Sequence, residues 1–390
     1  MDRGKTGVAR EVDTDVGEAV EAFVPDPLPP SPPLDFSNQL DRHFEAANQS
    51  LGRLDGMTKL LPDTSLFIYF YIRKEAVLSS RIEGTQSSLS DLLLYENEQE
   101  PRVPMNDVEE VSNYVAALEH GLDRIRNDDF PISVRLFREI HRILLSSGRV
   151  SDKQPGELRR SQNWIGGSRP GTAEFVPPPP DKVRDCLGEL EQFLHGRRGK
   201  FRTTLKAALA HAQFETIHPF LDGNGRLGRL LVTLLFCAEG VLREPTLYLS
   251  LYFKRHREEY YERLQRIRTD GEWEEWIAFF LNGVEDVASQ SVDTAQRILQ
   301  MFDRDRRTIE RELGQAARTT LQVHEYLKAN PVTTIQDIAD ETSPSEPTVG
   351  KAVQRLEGLD ILEEVTGKKR NRVWIYREYV DILDEGTETN

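Results

Sequence analysis

His218-Pro219-Phe220-Leu221-Asp222-Gly223-Asn224-Gly225-Arg226-Leu227-Gly228-Arg229 is the stretch that decides how this chain is read. Upstream, Leu205, Leu209, Ala212 and Thr216 recur at helical spacing. Downstream, Leu227, Leu230, Leu231, Leu234 and Leu235 form the stripe of a helix that buries one face. The stretch is therefore predicted to leave one helix and enter the first turn of another. Such a turn offers an anion unpaired backbone N–H groups and about half a positive charge. Gly223 and Gly225 permit the positive-φ backbone of an anion-binding nest. Arg226 and Arg229 can fork onto phosphate oxygens. Asp222 would repel phosphates unless a hard cation such as Mg²⁺ stood between them. His218 titrates near neutrality and can accept a proton from a nucleophile.

Taken singly, each residue has a plainer explanation. A lone histidine is more often structural, Gly-Asn-Gly is usually a turn, and an arginine in a first helical turn usually faces solvent. The formal match of Gly223 to Gly228 with G-x-G-x-x-G fails, because that fingerprint needs a preceding strand inside a βαβ unit. No G-x-x-x-x-G-K-[ST] run occurs, which excludes a P-loop.

Taken whole, the run resembles the motif of the Fic family, H-x-F-x-[DE]-G-N-G-R-x-x-R, at every defined position. The resemblance implies an α-helical enzyme that transfers AMP from ATP to a Ser, Thr or Tyr hydroxyl of a target protein and releases pyrophosphate. His218 would be the base, Asp222 the Mg²⁺ ligand, and Phe220 the anchor of the loop in the core. Gly223, Asn224 and Gly225 would cradle the phosphates, with Leu227 and Gly228 in the same nucleotide-binding turn, and Arg226 and Arg229 would hold the outer phosphates. The intact Gly-Asn-Gly favours nucleotidyl over phosphoryl transfer. In Leu78-Ser79-Ser80-Arg81-Ile82-Glu83-Gly84, a capping box on Ser80 and Glu83 is opposed by helical residues before it and a terminating glycine after it. The same residues resemble the family's inhibitory motif, here Ser79, Glu83 and Gly84. That reading pairs Glu83 with Arg229 and makes the chain self-inhibited. Tyr260 and Tyr261 resemble a tyrosine pair that the family places near the adenosine, although one ring of such a pair usually packs inward.

The chain has 390 residues, 38% hydrophobic and 29% charged, enough for two or more domains. A net charge of −15 argues against general attraction to nucleic acid. Cys186 and Cys237 lie in apolar helical patterns and read as small buried hydrophobes in a reducing compartment. No bilayer-spanning run or signal-peptide core is present, so a cytoplasmic protein without membrane contact is expected.

The expected fold is mainly α: a Fic-type helical bundle with a small β-hairpin flap, followed by a winged-helix domain. Residues 1–37 read as a disordered or surface-lying proline-rich arm, with Phe23, Leu28 and Phe36 as anchors. Residues 38–110 form an N-terminal helical region carrying the inhibitory helix, and 111–285 the catalytic core. Within that core, Gln162 to Gly167 and Glu174 to Pro177 flank a turn and read as the flap, which in the family aligns the target segment by main-chain pairing. Trp273, Trp276, Phe279 and Phe280 are expected in the core. Residues 286–315 read as a linker helix and 316–385 as a separate winged helix. Its recognition helix would carry Thr348, Lys351 and Arg355, and its basic wing Lys368, Lys369 and Arg370. Two other functions stay open: a DNA-binding regulator whose Fic core senses nucleotide, and a Fic enzyme that removes AMP, with Glu83 orienting a water. Homodimerisation is open too.

Overall fold

A computed structural model describes residues 3–14, 17–36, 38–58, 64–96, 103–147, 153–197, 199–368 and 372–387. The chain opens with two strands, β1 (Gly7–Asp13) and β2 (Ala19–Pro25), paired antiparallel from Gly7↔Pro25 to Asp13↔Ala19. Helices α1 (Asn38–Thr58), α2 (Thr64–Ile82), α3 (Leu89–Glu96), α4 (Met105–Arg126) and α5 (Val134–Leu144) follow. Next come α6 (Pro180–Leu194), α7 (Thr203–Ile217), α8 (Asn224–Ala238), α9 (Ser250–Arg255), α10 (Arg257–Asp270) and α11 (Trp273–Leu313). The last part comprises α12 (Ala317–Ala329), β3 (Val332–Thr334), α13 (Ile335–Glu341), α14 (Glu346–Gly358), β4 (Glu363–Glu364), β5 (Val373–Ile375) and α15 (Arg377–Asp384).

Local chemistry sets several of the boundaries. Ser133 caps α5 by accepting from Leu136 N–H, and Thr334 and Asp337 close a reciprocal capping box on α13. Gly271 ends α10 in the left-handed conformation, its N–H bonded to the Ile267 carbonyl. Helix α7 is buried on every side from Thr204 to Ile217, which makes it the axis of the bundle. Its alanines at 207, 208, 210 and 212 let neighbouring helices approach closely, and Trp276 donates to the Ala208 carbonyl at 2.9 Å. Trp273, Trp276, Phe279 and Phe280 are all buried.

The N-terminal segment departs from the expected arm. Strands β1 and β2 pair into a hairpin that joins the flap: Phe23 N–H donates to the Val176 carbonyl at 2.9 Å, and Phe23 meets Phe175 edge-on at 6.0 Å. Leu28 is buried in the main core, whereas Phe36 is an exposed ring leaning on Phe44. The hairpin has little core of its own; Val20 and Ala22 alternate inward and pack with Val176. Its partner is a distant segment, so local pattern does not announce it.

The expected boundary between core and linker falls inside one helix, since α11 runs unbroken for 41 residues. The C-terminal part is not separate either. Helices α12 to α14 pack beside a three-stranded antiparallel sheet of order β3-β5-β4, and the apolar core continues from there into the bundle. Tyr379 of α15 meets Phe302 of α11 at 4.9 Å and Phe70 of α2 at 5.5 Å. Arg297 and Glu385, and Arg304 and Glu378, close bidentate pairs along α11 and α15. On α14, Thr348 and Lys351 are exposed and Arg355 is half-buried, and Lys368 is exposed on the expected wing. Lys369 and Arg370 lie outside the described residues. Among the described residues, no helix is long and apolar enough to cross a membrane.

Candidate active site

The turn between α7 and α8 has the predicted form. His218 ends α7 in the left-handed region (φ 47°), its N–H bonded to the Phe214 carbonyl at 2.9 Å. Gly223 (φ 74°) caps α8, whose first residues are Asn224, Gly225 and Arg226. Phe220 is fully buried and stacks on His141 at 3.8 Å. The Asn224 side chain closes the loop on itself, accepting from Phe220 N–H and donating to the Phe220 carbonyl, both at 2.9 Å. It therefore braces the loop, and the anion-facing groups at this position are backbone N–H groups. Leu227 is buried and its N–H is spent on the Gly223 carbonyl, while Gly228 packs against Glu215 and Phe214. Both positions are therefore enclosed by protein on their side-chain sides.

Four side chains missed in the sequence hold this loop. Arg159, buried, donates from Nε to the His218 carbonyl at 2.9 Å and from Nη2 to the Pro178 and Ile217 carbonyls. His141 accepts from Gly156 N–H at Nδ1 (2.8 Å), so its proton sits on Nε2 and is donated to the Asp222 carbonyl (3.0 Å). Asn163 of the flap donates to the Phe220 carbonyl at 3.1 Å. His211 donates from Nδ1 to the Gly228 carbonyl (2.8 Å) and accepts the Tyr260 hydroxyl at Nε2 (2.9 Å). Burial pushes His141 and His211 down to about 4. A histidine on an apolar helix face was their only signal.

The charged groups form two layers. Arg226 bridges Glu110 (3.2 Å) and Asp222 (3.6 Å), and its buried Nε has no hydrogen-bond partner among the described residues. Arg229 donates from Nε to Ser79 Oγ, and from Nη2 to the Ser79 carbonyl and to Glu83 Oε1 at 2.7 Å. Burial pushes the Glu83 carboxyl up, but Arg229, Arg226 and His218 outweigh it and hold it below its ordinary value. Ser80, the alternative cap, lies inside α2. Beneath Arg229, burial raises Glu215 to about 7 despite Arg229. Burial, with the Arg159 and Arg268 charges, pushes His218 down to about 3, so its imidazole is neutral at pH 7.

Tyr260 is buried and committed to His211, so it does not present a face to the site. Tyr261 stands beside it, 37% exposed, with Arg257 over its ring. The flap is slighter than expected: one antiparallel bridge, Ile165↔Phe175, closed over a short turn at Pro170–Thr172. Arg268 covers the Phe175 ring at 3.8 Å, and Glu18 of the N-terminal hairpin grips Arg169 at 2.7 Å and Gly171 N–H at 2.8 Å. Among the described residues, no cluster of three or more His, Cys, Asp or Glu could hold a metal by itself. Asp222, 40% exposed, is a single carboxylate beside the open helix end. That suits an ion such as Mg²⁺, which takes one or two carboxylates and completes its shell with water and phosphate.

A buried pair of helices joined by a turn that sets His218 beside an open helix N-terminus, with the Glu83 carboxylate from just past α2 on its last arginine, defines a class of α-helical protein. Family models for the Fic/DOC family N-terminal region and the Fic/DOC family match residues 42–123 and 131–236. The chain belongs to the Fic family. It is 33% identical over 162 residues to protein adenylyltransferase Fic of Aedes aegypti, covering 41% of this chain and 29% of that relative. It is 32% identical over the same length to the protein of that name from Culex quinquefasciatus. The match thus spans under a third of these relatives' length, 29% in each. A Fic family protein from Desulfovibrio desulfuricans G20 shares the fold, with a TM-score of 0.59 at 17% identity over 89% of this chain and 98% of that one.

Proposed function

We propose that the chain is a protein adenylyltransferase restrained by its own Glu83. His218 takes the proton of a Ser, Thr or Tyr hydroxyl on a target protein. The hydroxyl oxygen then attacks the α-phosphorus of ATP, and pyrophosphate leaves. The supporting observation is the juxtaposition of a neutral His218 with the open N-terminus of α8 and two buried arginines, Arg226 and Arg229. The unpartnered Nε of Arg226 is a donor suited to a phosphate oxygen. Asp222 would hold Mg²⁺, which when bound neutralises phosphate charge. The N–H groups at the start of α8 and the arginines orient the triphosphate. Tyr261 is the ring available to the adenosine.

In the form described, Glu83 occupies the guanidinium that would take an outer phosphate. Glu83→Gly protein with ATP should attach AMP to itself or to lysate proteins, read as added mass on a hydroxyl residue, and the Glu83→Gly/His218→Ala protein should attach none. GTP and CDP-choline run in parallel identify the nucleotide. Equal labelling by both variants would rule the assignment out.

A second activity, DNA binding, is favoured by the exposed Thr348 and Lys351 of α14, the helix we read as the recognition helix of a winged helix. A gel shift that is salt-sensitive and lost in Lys351→Glu would support it, and no shift would remove it.

A further inference from the structure

The cleft where the flap leaves the bundle is built of arginine. A cavity of about 190 Å³ is lined by Arg138, Arg159, Arg160 and Arg184, and Glu157 is the one carboxylate in its wall. This is unusual company in a chain of net charge −15. Glu157 is already taken: Arg138 donates to it at 2.8 Å and to the Gly156 carbonyl at 2.8 Å. Arg159 is 2% exposed and, among the described residues, meets only carbonyl oxygens, with no carboxylate against its charge. Arg160 and Arg184 are exposed and make no ion pair or hydrogen bond among the described residues. Among the described residues, three positive charges thus share a small space with no carboxylate paired to them, which an anion would relieve.

Size and position narrow the anion. Clefts that enclose whole small molecules run from about 300 Å³ upward, so this one suits a carboxylate or phosphoryl group better than a nucleotide. The triphosphate has its own place at α8. Arg160 immediately precedes the flap, and Ile165, on its bridging limb, is five residues on, about 17 Å in extended chain. One guanidinium, that of Arg159, separates the cleft from the His218 carbonyl.

We infer that this arginine cleft receives an acidic side chain, Asp, Glu or phosphoserine, that flanks the modified hydroxyl in the target protein. The inference rests on the adenylyltransferase reading for its purpose, but the binding can be measured without nucleotide. Three fluorescein-labelled peptides of equal length would be compared by anisotropy: one glutamate-rich, one with a phosphoserine, one neutral with glutamine in place of glutamate. The acidic peptides should bind at least about tenfold more tightly than the neutral one, and more weakly as salt rises. Arg160→Glu/Arg184→Glu should abolish that preference, and Arg160→Ala/Arg184→Ala should reduce it; both sites are exposed, and circular dichroism checks that the fold is kept. Equal binding of acidic and neutral peptides overturns the inference. So does a preference that survives charge reversal, or capture of inorganic phosphate without any preference among the peptides. Because no ATP is present, loss of AMP transfer would leave this result standing, and loss of the preference would leave the transfer reading standing.

Discussion

Arg229 and Glu83 lie 146 residues apart in sequence and 2.7 Å apart in space, and Glu83 together with Ser79 takes the Nε and Nη2 donors of the Arg229 guanidinium. A phosphate oxygen that seeks Nη2 must displace the carboxylate. ATP affinity should therefore rise in the order wild type, Glu83→Gln, Glu83→Gly. The amide keeps a weaker, uncharged hydrogen bond, and glycine keeps none. Titration calorimetry with ATP and Mg²⁺ should give at least about a tenfold gain for Glu83→Gly, equivalent to about 1.4 kcal/mol. Identical affinities across the three proteins would show that the pair does not restrain the site.

Gly225 admits that carboxylate. A Cβ there would stand 2.2 Å from Glu83 Oε1 and 3.0 Å from an Arg229 nitrogen. Its backbone is ordinary helix, so alanine is tolerated by conformation and opposed chiefly by Glu83, with Arg229 a lesser crowding. Gly225→Ala should destabilise the wild-type protein by about 1–2 kcal/mol and cost much less in a Glu83→Gly background. The double-mutant coupling by urea unfolding is the test. Additive penalties would place the clash elsewhere.

The turn from His218 to Arg229 was legible because its chemistry is local: glycines, helix phase and charge fall within twelve consecutive residues. Arg159, His141 and Glu110 were not, because burial of a polar group is decided by segments distant in sequence, and a polar residue inside a helix pattern looks solvent-facing. The hairpin at 7–25 failed for the same reason, since its second face is the flap at Val176. Tyr260 was a readable miss. Tyr260, Leu264 and Ile267 recur at helical spacing and are all buried, so the inward ring could have been named from phase alone. The single helix across 273–313 was legible too, for Gly283 is the only glycine in it and no proline interrupts it.

Arg159 is predicted to be the costliest single loss around the loop. Arg159→Ala would strip partners from the Pro178, Ile217 and His218 carbonyls and leave a void. Unsatisfied buried carbonyls cost about 1–3 kcal/mol each before relaxation, so a loss of about 3 kcal/mol or more is expected in chemical unfolding. Arg159→Lys retains the charge without the fork and should recover only part of it. A loss below about 1 kcal/mol for Arg159→Ala would mean that water replaces the guanidinium.

Acid should act on this protein through opposing buried groups. His141, His211 and His324 are held near 4 by burial, against 6.5 when exposed. Between about 6.5 and 4 the unfolded chain therefore binds protons that the folded one refuses, and stability falls as pH falls. Glu75 and Glu215 run the other way: burial lifts both to about 7 from 4.5, so the folded chain takes up protons first and gains stability as pH falls from about 7 to 4.5. His218, held at about 3 by burial, makes a fourth loss. Four losses against two gains leave a net decline of about two protons, or about 2.7 kcal/mol per pH unit, from 6.5 to 4.5. Replacing Glu75 and Glu215 by glutamine removes the gains, so the decline in that window should steepen about twofold in urea-melt stabilities. An unchanged slope would mean that these carboxyls titrate alike in the folded and unfolded chain.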